Sequence, residues 1–223
     1  MEFYKNCGCS NLLDDNTKKE LSRVFKRLKK RTILLAVLEN DSPKSIELAQ
    51  LLNTLSAISP DLECEYFIAD ENHILEKQLD NQNHYPAFGI FDGHLNFSGL
   101  SYLGIPGGKE LNSLIYGLYN VSGAGQPING KNKKRILALS TPHRIKIYVS
   151  LSCHYCSNTV IACQQISSLN PLISAQMIDA ALFPDLIEKY KIERIPLITL
   201  DENQLFWGEK SLDALISLLE EAN

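Results

Sequence analysis

The chain has 223 residues, 44% of them hydrophobic and 22% charged, with a formal net charge of −4 at pH 7. This length holds one large or two small domains, and the charge balance gives no reason to expect nucleic acid as a partner. No apolar run approaches the ~20 residues that span a bilayer, the N-terminus lacks the apolar core of a signal peptide, and the cysteine content is too low for a disulfide scaffold. We therefore expect a cytoplasmic protein that binds no membrane, in which a cysteine pair is more often catalytic than structural.

Residues 1–11 are predicted to form an N-terminal tail that contains Cys7-Gly8-Cys9. Three interpretations of these two thiols stay open: a second redox pair, a metal-binding tag, or unused thiols on a disordered tail. Apolar residues at helical spacing then predict an amphipathic helix, with Asp14 or Asp15 as its cap. They are Leu21, Val24, Phe25 and Leu28.

Residues 12–121 are predicted to form a first domain. The buried-strand run 32–38 (TILLAVL) is followed by the segment 41–45 (DSPKS), which opens a helix with a capping residue and an early proline. Pro86 precedes the next strand, which a hairpin turn ends at Asp92. Residues 110–119 then have the spacing of an amphipathic helix, and residues 122–141 are predicted to be a linker: a flexible break at 122–127, followed by a short helix.

Residues 142–223 are predicted to form a second domain. The buried-strand run 145–151 leads into the segment 152–156 (SCHYC), and a helical pattern follows, so Cys153 falls at a helix N-terminus. Unpaired backbone N–H groups and the helix dipole stabilise a thiolate there, and such cysteines have pKa values of roughly 3.5–7.5 against about 8.5 for a free thiol. Because Cys156 is within reach of a disulfide, the pair predicts a site of thiol–disulfide exchange. Half of a zinc site has the same spacing, but no second such pair follows.

Pro196 supports the redox interpretation. It stands at the entry of a second strand within residues 189–200, where a fixed bend, or a cis peptide bond, suits the chain. In thioredoxin-like folds such a proline faces the dithiol. A hairpin turn at 201–203 and an amphipathic helix at 211–219 complete the predicted domain.

The first half repeats the pattern of the second without its cysteines. Pro86 corresponds to Pro196, and Asp41 and Lys44 fall about where Cys153 and Cys156 would be expected. The predicted fold class is therefore α/β: two fused thioredoxin-like folds, mixed central sheets flanked by helices, of which the first is redox-inactive.

A family resemblance rests on several segments between residues 12 and 220. They are Leu13-Asp14, 38–42 (LENDS), 97–99, 106–111 (PGGKEL), 150–156 (SLSCHYC), 169–171 and 178–179. The chain resembles the N-terminal domain of the flavoprotein subunit of bacterial alkyl hydroperoxide reductase, a tandem of two thioredoxin-like folds. Archaeal-type protein disulfide oxidoreductases share this architecture but usually carry a cysteine pair in both halves.

The resemblance implies that the domain takes electrons from a flavin- and nicotinamide-dependent, thioredoxin-reductase-like protein and passes them to a peroxiredoxin or similar disulfide client. Because the chain contains no Gly-x-Gly-x-x-Gly fingerprint, we expect the donor to be a separate polypeptide. No bound cofactor is expected beyond the redox-active Cys153–Cys156 disulfide.

Each site residue has a predicted role. Cys153 is the nucleophile, Cys156 resolves the mixed disulfide, and Pro196 shapes the groove for a partner strand. Glu110 matches a glutamate that the family has near the dithiol and is predicted to accept the proton of Cys156; the alternative is a carboxylate that only stabilises a helix N-terminus. His154 is predicted to assist the thiolate and make the pair a stronger oxidant, unless it only faces solvent.

Two other functions remain open from the sequence. The first is a protein disulfide oxidase or isomerase, which differs from a reductant in the potential of its dithiol. The second is a zinc-binding interaction module held by Cys7, Cys9, Cys153 and Cys156. The remaining cysteines, Cys64 and Cys163, are predicted to belong to the core.

Overall fold

The computed structural model describes residues 1–123 and 125–222. Ala124, in the predicted break at 122–127, and Asn223, at the end of the predicted second domain, lie outside the described residues. The strands are β1 Thr32–Leu38, β2 Leu62–Ile68, β3 Ala87–Asp92, β4 Phe97–Leu103, β5 His143–Val149, β6 Ile173–Asp179, β7 Leu197–Leu200 and β8 Gln204–Trp207. The helices are α1 Glu2–Lys5, α2 Asp15–Phe25, α3 Pro43–Ile58, α4 His73–Leu79, α5 Leu111–Val121, α6 Gly130–Ala138, α7 His154–Leu169, α8 Pro184–Tyr190 and α9 Leu212–Ala222, with 3-10 turns at Gly108–Glu110 and Ala180–Leu182.

The described strands form one sheet in the order β2-β1-β3-β4-β6-β5-β7-β8. In the first half, β1 pairs in parallel with β2 and antiparallel with β3, and β3 pairs antiparallel with β4. The second half repeats this arrangement with β5, β6, β7 and β8. The predicted tandem of thioredoxin-like folds is confirmed, and parallel pairing of β4 with β6 joins the two halves.

Helices cover both faces of the sheet. In β1, Leu34, Ala36 and Leu38 face the larger core, which α2, α3, α5, α7 and α9 complete. The intervening residues of the same strand face a smaller core beneath α4 and α8. Because both faces are buried, β1 is apolar from Ile33 to Leu38 rather than alternating. No helix of the described residues is both long and apolar enough to span a membrane.

The direction of the strands brings the predicted site residues to one edge of the sheet. β1, β4, β6 and β5 are mutually parallel, so their carboxyl ends lie at the same edge. The segments that follow β1, β4 and β5 carry Ser42, Glu110 and Cys153, respectively, and Asp179 is the last residue of β6. Four strand spacings of ~4.8 Å separate β1 from β5, so the ends of these two strands are about 19 Å apart.

The N-terminal segment is ordered, so the disordered-tail interpretation is wrong. Tyr4, in α1, is buried; its hydroxyl donates to the carbonyl oxygen of Glu39 at 2.7 Å. Asn53 on α3 in turn donates its side-chain amide to the Tyr4 carbonyl oxygen, also at 2.7 Å. These bonds hold the first residues of the chain against α3 and the end of β1.

An ion cluster bridges the halves on the face covered by α4. Lys146 of β5 is almost fully buried, and its Nζ lies 2.9 Å from Asp80 of the first half and 2.8 Å from Glu202 in the β7–β8 turn. The hydrogen bond from Lys146 lowers the pKa of Glu202 to about 2. A buried ammonium is therefore matched by carboxylates from both halves.

Candidate active site

Cys153 is the N-cap of α7, as the sequence predicts. Its φ of −80° and ψ of 120° are extended, and its Sγ accepts a hydrogen bond from the backbone N–H of Cys156 at 3.2 Å. The turn is closed by Cys153 N–H, which donates to the Ser150 carbonyl oxygen at 2.9 Å. Because an N-cap sulfur takes up one of the unpaired amide donors of the first turn, this position favours a negative charge on sulfur.

Cys153 and Cys156 form a disulfide with a Cα–Cα distance of 5.5 Å. Cys153 is half-buried, whereas Cys156 is completely buried. The two sulfurs therefore differ in access: a partner meets Cys153 first.

Pro196 lies at the same end of the sheet as the disulfide. The Ile195–Pro196 peptide bond is cis, and β7 starts directly after it, with Leu197 paired to Tyr148 near the end of β5. The Pro196 carbonyl oxygen accepts a hydrogen bond from the N–H of Gly208 at 2.9 Å, which ties the bend to the end of β8. The predicted bend is thus present beside the strand that leads to Cys153.

The two residues between the cysteines are exposed. His154 begins α7, and Tyr155 is 65% exposed. Both lie on the surface that surrounds Cys153.

Glu110 lies at the end of the 3-10 turn between β4 and α5. The preceding residue, Lys109, donates its N–H to the Leu151 carbonyl oxygen at 2.9 Å, two positions before Cys153. The turn approaches so closely that a Cβ on Gly108 would meet this oxygen at 2.6 Å, and φ of Gly108 is +54°. The first half thus contributes a loop that is bonded to the active-site loop of the second.

The carboxyl group of Glu110 is completely buried, and neither oxygen has a hydrogen-bond partner within residues 1–123 and 125–222. Burial raises its pKa to about 7, and the charge of Asp179 adds to this shift; the nearby Ser113 hydroxyl, which donates to the backbone carbonyl oxygen of Glu110 at 2.8 Å, opposes it. Such a group changes its protonation near neutral pH, as a proton acceptor must.

Asp179 is a buried carboxyl that the sequence-based prediction did not include among the site residues. It ends β6, and its Oδ1 accepts the Ala181 N–H at 3.2 Å; burial raises its pKa. The sequence feature that could have identified Asp179 is an acidic residue at the end of a buried parallel strand, because ligands and reactive groups meet at the carboxyl ends of such strands.

The corresponding site in the first half is one residue away from its predicted position. Ser42, not Asp41, is the N-cap of α3, and Ser45, not Lys44, is the buried residue three positions later. Both N-caps follow the end of their strand by four residues, since β1 ends at Leu38 and β5 at Val149. The first half therefore carries Ser-x-x-Ser in place of Cys-x-x-Cys.

The other cysteines lie apart from this disulfide. Cys7, Cys9, Cys64 and Cys163 are free; Cys163 is buried and Cys64 half-buried. Within the described ranges, the one cluster of three or more side chains with metal-ligand geometry is Asp70, His73 and Glu76, which contains no cysteine. The structure thus gives no geometric support to the four-cysteine zinc site.

The fold and the disulfide define a class: thioredoxin-like thiol–disulfide oxidoreductases. The family model described as "Thioredoxin domain" matches residues 143–220. A protein disulfide oxidoreductase from Aeropyrum pernix superposes with a TM-score of 0.81 over 94% of this chain and 93% of its own, at 17% identity, and shows the shared fold.

The family follows from a more similar structure. The alkylhydroperoxide reductase protein AhpF of Enterococcus faecalis superposes with a TM-score of 0.88 at 34% identity, over 94% of this chain and 100% of the compared one. The chain belongs to the family of AhpF N-terminal domains, as the resemblance indicated.

Curated relatives extend beyond this chain. It is 29% identical to the AhpF protein of Pseudomonas putida over 209 residues, which are 94% of this chain and 38% of that protein. It is 27% identical to a Bacillus subtilis protein named NADH dehydrogenase over 206 residues, 92% of this chain and again 38% of the relative. The chain therefore spans little more than a third of the length of these relatives.

Proposed function

We propose that the chain relays electrons through Cys153 and Cys156 from a flavin-dependent, thioredoxin-reductase-like protein to a peroxiredoxin or similar disulfide client. One observation carries this proposal: an accessible N-cap sulfur is bonded to a buried sulfur one helical turn away. Family membership supports the redox relay itself. The choice of donor and acceptor rests on the family resemblance.

The proposed exchange has two steps. The Cys153 thiolate attacks one sulfur of the client disulfide; that S–S bond breaks, and the other client sulfur leaves as a thiolate. The Cys156 thiol loses its proton and attacks Cys153 Sγ, which releases the second client thiolate. Two electrons have then moved to the client, and the Cys153–Cys156 disulfide is ready to be reduced by the donor.

Glu110 is proposed to accept the proton that Cys156 loses. A buried carboxyl whose pKa lies near 7 is ionised often enough to take a proton and holds it weakly enough to return it. The bond between Lys109 and Leu151 keeps its loop next to the active-site loop. Such a base acts on the resolving step and leaves the first attack unchanged.

Pro196 and the two exposed residues are proposed to contact the partner. A proline has no N–H, and its carbonyl oxygen is already bonded to Gly208, so the backbone of Pro196 presents no competing donor to an incoming strand. Tyr155 supplies an apolar ring beside Cys153, and a protonated His154 would favour the Cys153 thiolate. Assistance by His154 also makes the disulfide more oxidising, because it stabilises the reduced form.

Trapping the mixed disulfide tests the proposal. Cys156→Ser removes the resolving sulfur, so the variant is expected to retain a client disulfide-bonded to Cys153, identifiable by peptide mass spectrometry. Cys153→Ser, the matched control, leaves a buried sulfur and should trap nothing. Equal trapping by both variants, or by neither, would contradict the assigned roles.

The reduction potential separates this function from that of an oxidase or isomerase. A value near −270 mV, like that of thioredoxin, is expected for a reductant, whereas oxidising proteins have values of about −180 to −120 mV. Equilibration with glutathione buffers measures it directly.

A further inference from the structure

The Cys7-Gly8-Cys9 segment takes no part in the function proposed above. Cys7 is half-buried and Cys9 exposed, and both are free thiols. One accessible sulfur beside a more shielded one is also the arrangement of Cys153 and Cys156. A pair of this kind can react with a disulfide through the accessible sulfur and close on itself through the other.

The backbone between the two cysteines permits a disulfide. Gly8 has a φ of +96°, a conformation that side chains other than glycine rarely adopt, and no atom lies within 4 Å of the position of a Cβ there. The Cα atoms of two residues separated by one other are at most about 7 Å apart. A disulfide spans roughly 4.4–6.8 Å between Cα atoms, so rotation of the two side chains with a small backbone adjustment closes the bond.

The pair is anchored on α3, the helix whose own N-cap site carries serines. Cys7 Sγ donates to the Tyr4 carbonyl oxygen at 3.1 Å, and the Gln50 side-chain amide donates to the Cys7 carbonyl oxygen at 3.0 Å. After Cys9, the Ser10 N–H donates to Thr54 Oγ1 at 2.8 Å. Burial raises the pKa of Cys7 and thereby disfavours its thiolate, which leaves Cys9 as the attacking sulfur.

The segment leads from α3 to the loop of the active site. Leu12, three residues after Cys9, lies beside Gly107: a Cβ at Gly107 would be 3.6 Å from Leu12 Cδ1 and 3.9 Å from Leu151 Cδ1. Leu151 in turn precedes Cys153 by two positions. Three residues of chain reach about 10 Å, so an approach of Cys9 to Cys153 requires release of the Cys7–Ser10 stretch from α3, with Leu12 as the pivot.

We propose that Cys7 and Cys9 form a second redox-active pair that exchanges two electrons with the Cys153–Cys156 disulfide of the same chain. The Cys9 thiolate attacks Cys153 Sγ; the Cys153–Cys156 bond breaks, and Cys156 leaves as a thiolate. Cys7 then gives its proton to solvent and attacks Cys9 Sγ, which releases the Cys153 thiolate and forms the Cys7–Cys9 disulfide. The reverse reaction uses the same bonds. This exchange rests on the proposed function, because it requires a reactive Cys153.

The first experiment tests the second pair alone. The full chain with Cys153→Ser and Cys156→Ser is equilibrated with glutathione buffers of increasing potential, quenched in acid, alkylated and digested. The peptide with Cys7 and Cys9 is expected to change from two thiols to one disulfide, a loss of two hydrogens, in a single two-electron transition. Cys64 and Cys163 are expected to remain thiols and therefore to be alkylated at every potential. Separate glutathione adducts on Cys7 and Cys9, thiols that stay reduced throughout, or stoichiometric zinc removed by Cys9→Ser would each overturn the proposal.

The second experiment tests the exchange. With Cys7→Ser and Cys156→Ser, oxidation at low protein concentration is expected to link Cys9 to Cys153 within a monomer. The matched control, Cys9→Ser with Cys156→Ser, leaves the half-buried Cys7 and should link to Cys153 at least about tenfold more slowly. The exchange is overturned if Cys153 still reacts with an alkylating agent but Cys9 does not link to it, or links to it no faster than Cys7 does in the control. An unreactive Cys153 overturns the proposed function and the exchange with it, whereas the first experiment is unaffected.

Discussion

The two halves of the molecule have the same N-cap geometry at the corresponding helix, but the capping atom is oxygen in the first half and sulfur in the second. At Ser42 the side-chain oxygen accepts the N–H of Ser45 at 3.4 Å, and at Cys153 the sulfur accepts the N–H of Cys156 at 3.2 Å. The third residue after each N-cap is fully buried, and a cis proline, Pro86 or Pro196, precedes the neighbouring strand. The fold therefore maintains the geometry of the site without the chemistry, which resides in two sulfur atoms.

The first half still contributes to the second. Its β4 continues the sheet into β6, and the loop after β4 is bonded to Leu151 and holds the buried Glu110. Although its own site carries serines, the first half can in this way supply a carboxyl group to the site of the second half. Substitutions in the two halves test this division of roles.

The sulfur of Cys153 is expected to account for the activity. Cys153→Ser should lower the rate at which the dithiol-reduced protein reduces a small aromatic disulfide by ~10³-fold or more, because a neutral hydroxyl does not replace a thiolate nucleophile. Ser42→Ala, the equivalent change in the first half, should leave the rate within twofold. A large loss of activity in Ser42→Ala would show that the site of the first half takes part in the reaction.

Glu110→Gln should change the pH dependence of stability. The buried carboxyl is neutral below its pKa of about 7, whereas the unfolded chain ionises near the ordinary value of 4.5. The folded protein therefore loses stability as the pH rises from about 4.5 to 7. At 1.36 kcal/mol per pKa unit, the loss reaches about 3 kcal/mol above pH 7.

Urea unfolding of both proteins measures this difference. The amide does not ionise, so the variant should be more stable than the parent by about 3 kcal/mol at pH 8 and nearly equal to it at pH 4. A constant difference across this range would mean that Glu110 does not titrate between the two values. With Cys156 present, resolution of the mixed disulfide should also become slower at pH 7 in the variant if the carboxyl takes the proton of Cys156.

Restoring two sulfurs should restore part of the chemistry to the first half. In a background with Cys153→Ser and Cys156→Ser, the changes Ser42→Cys and Ser45→Cys place thiols at the same N-cap geometry. Disulfide reduction is expected to rise about 10- to 100-fold above the background, the range that a lowered thiol pKa provides. Stability should fall by about 1 kcal/mol, because Ser45 Oγ accepts the Glu39 N–H at 2.9 Å.

Ser45→Cys alone is the control for this experiment. The thiol is buried and has no second sulfur, so no gain in activity is expected. A gain equal to that of the pair would assign the reactivity to general thiol chemistry rather than to the N-cap.

Lys146→Met should loosen the contact between the halves. The change removes the ammonium that lies between Asp80 and Glu202, and both carboxylates are partly exposed, so solvent screening limits the loss to about 1–2 kcal/mol. Lys189→Met, at a more exposed pair 3.6 Å from Glu202, should change the free energy of unfolding by less than about 0.5 kcal/mol. Equal losses in the two variants would contradict a special role for the buried pair.

The acid side of the stability profile adds a second readout. The pKa of Glu202 is lowered to about 2 by Lys146, so its contribution is present above the unfolded value and is lost as the pH falls from about 4.5 to 2. This part of the acid sensitivity should be smaller in Lys146→Met, where only Gln82 and Lys189 still lower the pKa of Glu202.

The sequence predicted the elements whose pattern is local. The apolar runs of β1 and β5, the N-terminal position of Cys153 and the proline before β7 each follow from adjacent residues, and the structure has all three. The register of the first site was off by one, because Asp and Ser both cap helices and only the end of β1 decides between them.

Features that depend on distant residues were not predictable in this way. The pairing of β4 with β6, the burial of Asp179 and the bonds that hold Tyr4 to α3 join segments far apart in the chain. Glu110 was predicted from the family resemblance and not from a local pattern, since a carboxylate at the start of a helix is also explained by its stabilisation of the helix N-terminus.

The proposed relay depends above all on a reactive Cys153 thiolate, and the rate of alkylation of Cys153 at pH 7 measures that reactivity. In the reduced Cys156→Ser variant, peptide mass spectrometry follows Cys153 while N-acetylcysteine serves as the ordinary thiol in the same solution. We expect Cys153 to react at least about tenfold faster, because its N-cap position stabilises the thiolate. A rate equal to or below that of the ordinary thiol would contradict the relay.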